Sequence, residues 1–184
     1  MSVDELIDRL ITREGGYDVN ADDRGGATRY GITAAVARQQ GYTGDMKDFP
    51  RDEAVAIYKR LYWLRPRFDA VAARAPRLAE ELFDAGVNMG PATATSFLQR
   101  ALNALNRGAA DYADIVTDGE IGAQTLAALA AFIAHRGAMG ETVLIRAVDA
   151  LRGAKYLSLA ETRPADETFL YGWLANRVGG TANG

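Results

Sequence analysis

Residues 3–17 read Val-Asp-Glu-Leu-Ile-Asp-Arg-Leu-Ile-Thr-Arg-Glu-Gly-Gly-Tyr. Val3, Leu6, Ile7, Leu10 and Ile11 recur at helical spacing, so the stretch predicts an amphipathic helix with one apolar face. Ser2, with Glu5 three positions later, forms a capping box at its start. Gly15 and Gly16 supply a left-handed stop. Glu14 then falls at the helix end, in register with Val3, Ile7 and Leu10, which brings a carboxyl group to the edge of the core.

A carboxyl at a helix C-terminus meets the negative end of the macrodipole. If it is also half-buried it loses hydration, and both effects disfavour its charged form. The position predicts a raised pKa for Glu14. A carboxyl still protonated near neutral pH suits general-acid cleavage of a glycosidic bond, whose leaving oxygen departs poorly unless protonated. Position alone leaves open a plain surface glutamate at a fraying helix end.

Outward from Gly16, residues 17–32 are dominated by Asp, Asn and Gly, with turn signals at Gly25-Gly26 and Gly31, and predict a loop or small irregular hairpin. Helices follow at 33–40, stopped by Gly41, and at 50–63, opened by Pro50 and ended before Pro66. A further helix fits 76–89. Gly90-Pro91 punctuates the chain, and Pro91 opens a helix carrying Phe97, Leu98, Ala101, Leu102 and Leu105 on one face. Beyond the turn at Asp118-Gly119, helical periodicity returns at 123–135, 141–159 and 166–178. No strong strand alternation appears, and the tail from Gly179 is expected to fray. The reading is a mainly α protein with a minor β element near residues 17–32, divided into parts at 1–92 and 93–180.

The 184 residues, 48% of them apolar, suffice for a full core. With no cysteine, disulfides, thiol nucleophiles and cysteine-based metal sites are excluded. The single histidine, His135, excludes a histidine triad or a multi-histidine metal site. A net charge of −3 gives no whole-chain attraction for nucleic acid, although Lys59, Arg60, Arg65 and Arg67 form a local basic cluster. No apolar run approaches a membrane span, and residues 1–13 lack the basic start and apolar core of a signal peptide. The expectation is a chain made in the bacterial cytoplasm, without stable membrane insertion, cofactor or metal, acting as a monomer.

The context of Glu14 sharpens this reading. Glu14-Gly15-Gly16-Tyr17 is followed by Asp23, by Gly25-Gly26-Ala27-Thr28 and by Tyr30-Gly31-Ile32-Thr33. Here the chain resembles the glycoside hydrolase family 108 muramidases, which include phage endolysins and bacterial proteins once described as secretion activators. The resemblance continues through 54–63, with its Tyr58-x-x-x-Tyr62-Trp63 ending, through Asp84-Ala85-Gly86-Val87-Asn88-Met89-Gly90-Pro91, and through Leu98-Gln99. Asp118-Gly119-Glu120-Ile121-Gly122-Ala123-Gln124-Thr125-Leu126 and 171–177 resemble the predicted peptidoglycan-binding region that follows the catalytic part in this family.

The resemblance implies a lysozyme-like helical fold acting on peptidoglycan glycan strands, with Glu14 as catalytic acid. The implied bond is the β-1,4 link between N-acetylmuramic acid and N-acetylglucosamine. A phage endolysin acting on the wall outside the inner membrane fits, as does export by a secretion system. Glu14 and Asp23 are separated by eight residues, as in the similar Glu-Asp-Thr triad of phage lysozymes. The gap from Asp23 to Thr28 is one residue shorter than theirs, and the family's usual Asp-Pro pairs in this loop are replaced by Ala21-Asp22-Asp23-Arg24. Asp23 is a candidate to steady an oxocarbenium-like transition state or position water, with Thr28 helping to hold that water. A turn-capping role for Asp23 remains the alternative.

Asp84 and Asn88 lie four apart on one helix and are candidates to bind sugar hydroxyl or acetamido groups; helix-end capping is the alternative. Tyr30, Tyr58, Tyr62 and Trp63 are candidate sugar-stacking surfaces, with core packing equally open for each. The segment from Asp118 to Leu126 is either a wall-binding surface or a structural corner. Two other functions stay in view: a lytic transglycosylase forming anhydro ends, and a non-catalytic wall binder or secretion accessory. A chitinase-like preference is a further variant.

Overall fold

The computed structural model describes residues 1–18 and 26–179. Asp23 lies outside the described residues. Among those described, the chain is mainly α-helical with one small antiparallel sheet, and it divides into two compact units, residues 1–65 and 66–184.

In the first unit, α1 spans Val3–Glu14. The Ser2 side chain accepts from the Glu5 N–H (3.2 Å) and the Glu5 carboxylate accepts from the Ser2 N–H (2.7 Å), the reciprocal capping box that the sequence predicts. Ile7, Leu10 and Ile11 are buried on one face. Each contributes roughly 1.5–3 kcal/mol by leaving water. At the other end Gly15, with φ +79°, donates to the Ile11 carbonyl (3.2 Å) and turns the chain out of the helix.

The sheet pairs β1 (Tyr17–Asp18), β2 (Thr28–Arg29) and β3 (Ile32–Thr33) in sequence order. Arg29 faces Ile32 across a two-residue turn, Tyr30-Gly31, in which both residues have positive φ (55° and 73°). That geometry matches the twist of a tight hairpin and is free of strain at Gly31 but not at a tyrosine. Thr33 then caps α2 (Ala34–Gln39) by accepting from the Val36 N–H (3.3 Å). A short 3-10 turn at Met46–Asp48 leads to α3 (Arg51–Tyr58), which packs on α1. Arg51 and Lys59 pair with Asp8 (2.7 Å) and Asp4 (3.0 Å) on α1.

The sequence predicts one uniform helix from Pro50 to Trp63. Instead α3 widens at Lys59–Leu64 into a π-helix, with the Arg65 N–H donating to the Arg60 carbonyl (2.9 Å). Each π turn shifts the following side chains around the helix axis, so Tyr62 and Trp63 leave the α register.

The second unit holds α4 (Phe68–Ala72), a five-residue helix absent from the sequence reading, then α5 (Pro76–Met89) and α6 (Pro91–Ala104). These are followed by α7 (Ala123–Arg136), α8 (Ala138–Thr162) and α9 (Glu167–Arg177). Helices α5 and α6 pack on each other and both pack on α8. Leu78, Leu82, Leu98, Leu102 and Leu144 are fully buried in this core.

Pro76 opens α5 without an N–H, and the next two N–H groups, of Arg77 and Leu78, donate to the Glu141 carboxylate of α8 (2.7 and 3.1 Å). One helix is thus capped by a side chain from another, which fixes both. Between α6 and α7, buried Asn106 donates to the Tyr112 carbonyl (2.6 Å) and the Asp114 carboxylate (2.9 Å), so the Asp-rich connection is anchored rather than loose. No helix among the described residues is long and apolar enough to cross a membrane.

Candidate active site

Glu14 is the last residue of α1, three positions beyond buried Ile11 and four beyond buried Leu10. Three residues later the chain enters β1, so the helix end and the sheet are joined by only Gly15 and Gly16. Thr28 is half-buried on the central strand, opposite Asp18 on β1 and Thr33 on β3. The candidate acid thus ends the helix with two residues between it and β1, and the candidate water-holding threonine lies on the strand paired with β1.

The aromatic candidates separate into two kinds. Tyr58 is buried, and its hydroxyl donates to the Tyr30 carbonyl (3.1 Å) at the strained hairpin turn. Its ring lies 5.7 Å from that of Tyr62. Trp63 is buried as well. Tyr30 and Tyr62 are half-buried, and the Arg29 guanidinium lies 5.1 Å from the Tyr30 ring centroid. The structure brings Tyr30, Tyr58 and Tyr62 together, with Tyr58 clamping the hairpin and Tyr30 and Tyr62 keeping part of their surface in solvent.

The basic cluster read from the sequence is dispersed in its duties. Lys59 is held by Asp4, and the Arg67 guanidinium donates to the Ile121 carbonyl (2.9 Å) while Arg67 itself adopts φ +62° ahead of α4.

In the second unit Asp84 and Asn88 do meet. The Asn88 amide donates to the Asp84 carbonyl (2.7 Å) and approaches its carboxylate (3.5 Å). The same carboxylate bonds Arg152, whose guanidinium is 1% exposed and also donates to Glu81 (2.8 Å). Burial works against the Arg152 cation, but Asp84 and Glu81 beside it outweigh that and hold its pKa raised. Arg152 and Glu81 escaped the sequence reading. The available signal was the series Ile145, Val148, Arg152, Tyr156, which carries an arginine on the buried face of α8.

The segment from Asp118 has a structural role. Buried Gln99 donates from its amide nitrogen to the Asp118 carboxylate (2.7 Å), the Glu120 carbonyl (3.0 Å) and the Thr125 hydroxyl (3.2 Å), and its amide oxygen accepts from the Gly119 N–H (2.9 Å). The Gln99 and Glu120 N–H groups stabilise the Asp118 carboxylate and lower its pKa. Gly119 has φ +78°, and a Cβ there would come within 3.0 Å of the Ala92 carbonyl oxygen, so no other residue fits without movement.

Comparison with known proteins divides the chain between residues 90 and 93. Residues 7–90 match the family described as glycosyl hydrolase 108, and residues 93–178 match the predicted peptidoglycan domain. A solved structure of Brucella abortus SagA is similar to this chain, with a TM-score of 0.68 and 25% sequence identity. The similarity covers 94% of this chain and 87% of that one. No curated protein matches the chain.

Proposed function

Because residues 7–90 match the glycosyl hydrolase 108 family and residues 93–178 match the predicted peptidoglycan domain, we propose that the protein is an N-acetylmuramidase with Glu14 as its general acid. The observation that carries the reading is the placement of Glu14 as the closing residue of α1, directly ahead of the Gly-Gly turn and the sheet, inside the segment that matches the hydrolase family.

In this reading a glycan strand of peptidoglycan binds with its β-1,4 bond at Glu14, between N-acetylmuramic acid and N-acetylglucosamine. Glu14 gives its proton to the departing oxygen while positive charge develops on the sugar ring. Asp23 meets that charge or orients the attacking water, and Thr28 helps to hold the water. A carboxyl separation of about 5–5.5 Å would give retention through a covalent intermediate, and one of about 6.5–9.5 Å would give inversion. Tyr30 and Tyr62, with surface in solvent, suit sugar stacking better than buried Tyr58 and Trp63. Asp84 and Asn88 are proposed sugar ligands. Asn88 commits its amide nitrogen to Asp84, so its amide oxygen is the group to accept from an acetamido N–H. No cofactor takes part.

The catalytic part is assigned to residues 1–92 and the wall-binding part to 93–180, in a monomeric endolysin that acts outside the inner membrane. The test is digestion of purified peptidoglycan followed by mass spectrometry of the fragments. The expected products carry reducing N-acetylmuramic acid ends. Anhydro ends would instead make the protein a lytic transglycosylase, and reducing N-acetylglucosamine ends would overturn the bond assignment.

A further inference from the structure

Within the second unit, the end of α5, the first turn of α6, and helices α8 and α9 line a cavity of about 330 Å³. Its charged lining is all of one sign: Lys155, Arg163 and Arg177, with no carboxylate among the lining residues. Arg163 is paired with Asp166 (2.7 Å). Lys155 and Arg177 have no ion-pair partner among the described residues, which leaves two cations for a ligand.

Tyr156 also lines the cavity. It is 3% exposed, and its hydroxyl is buried with no hydrogen-bond partner. Native proteins leave few such groups unsatisfied, because a buried donor without an acceptor is destabilising. Its ring is fixed from two sides, by Trp173 at 5.1 Å and by the Arg152 guanidinium at 5.9 Å. Trp173 in turn lies between Tyr156 and Phe169, so its faces are occupied and it serves as a wall instead of a stacking plate. The Asn88 and Thr93 side chains add neutral polar groups.

Two cations and a hydroxyl without partners among the described residues select for an anion that accepts several hydrogen bonds at once, as a carboxylate does. The volume lies at the low end for ligand pockets and admits one or two amino-acid residues but not a disaccharide with its peptide. We propose that this cavity binds a free carboxylate of the peptide stem that peptidoglycan strands carry, with Lys155 and Arg177 as counter-ions and the Tyr156 hydroxyl as donor. The inference rests on the reading of peptidoglycan as substrate, and it assigns peptide recognition to this cavity separately from cleavage at Glu14.

The probe is the acetylated peptide Ac-L-Ala-γ-D-Glu-L-Lys-D-Ala, as the free acid and with every carboxyl amidated, titrated into the full chain by calorimetry. The free acid should bind, and the amidated peptide should bind at least about tenfold more weakly, since a charge-assisted hydrogen bond is worth that much. Lys155→Gln with Arg177→Gln should weaken the free acid by a similar factor, as should Tyr156→Phe, with thermal unfolding by circular dichroism verifying that each variant is folded. Equal affinity for both peptides, or no binding of either by a protein that cleaves peptidoglycan, overturns the cavity assignment and leaves the enzymatic reading standing. Selective binding of the free acid by a protein that cleaves nothing supports the cavity and removes the muramidase.

Discussion

Arg152 carries the heaviest individual responsibility in the second unit. Its guanidinium is buried against Glu81 and Asp84, and a cation so placed is tolerated only because two carboxylates meet it. Replacing it by methionine keeps roughly the volume but removes the cation that the Glu81 and Asp84 carboxylates face. Arg152→Met should lower stability by about 3–5 kcal/mol in urea unfolding, and a loss under about 1 kcal/mol would show that the ion group does not depend on the guanidinium. The same ion group explains why Asp84 was only partly legible in the sequence. Spacing put Asp84 and Asn88 on one helical face, and they do touch, but nothing in α5 announces an arginine nearly seventy residues later competing for the carboxylate. The position of Glu14 at the end of α1 was more legible, because the glycines that stop the helix are its immediate neighbours and the capping logic is local.

At the scale of elements, the long helices were readable because each shows apolar periodicity bracketed by proline, glycine or a cap. The strands were not individually readable, since two residues are too few to alternate, and only the Asp-Asn-Gly composition marked the region. The π-helix at Lys59–Leu64, which packs on α1, has no local sign in its residue types either. The loop ahead of α7 makes a sharper case. Its turn signal was plain, but its role depended on Gln99 of α6, which satisfies three groups of the corner and accepts from a fourth. Asp118 has a lowered pKa on folding, so its contribution to stability is fully present above its ordinary value of 3.8 and is lost as pH falls through the lower folded value. Gln99→Ala should therefore destabilise the protein at neutral pH and also flatten this part of the acid-unfolding profile, as followed by circular dichroism between about pH 5 and 2. A variant that is destabilised equally at every pH in that window would mean that Gln99 does not act through Asp118.

Over the whole molecule, the compact units and the family spans divide the chain differently. The first unit closes at residue 65, whereas the hydrolase match runs to residue 90 and so takes in α4 and α5, which pack within the second unit. The family boundary at Gly90-Pro91 was visible as punctuation. The packing of α5 on α6 and α8 was not, because it depends on faces that only the folded chain brings together. Catalysis and wall recognition are thus proposed for a molecule whose two family segments share one helical core in residues 66–184. On this reading Glu14 supplies the proton for glycan cleavage while binding resides elsewhere. The most direct measurement compares wild type with Glu14→Gln for clearing of purified peptidoglycan, with cosedimentation on the same material in parallel. The expected result is clearing by wild type, a rate at least about a hundredfold lower for the variant, and undiminished cosedimentation. Clearing by Glu14→Gln at the wild-type rate would rule out Glu14 as the acid, and binding by both proteins with cleavage by neither would rule out a hydrolase.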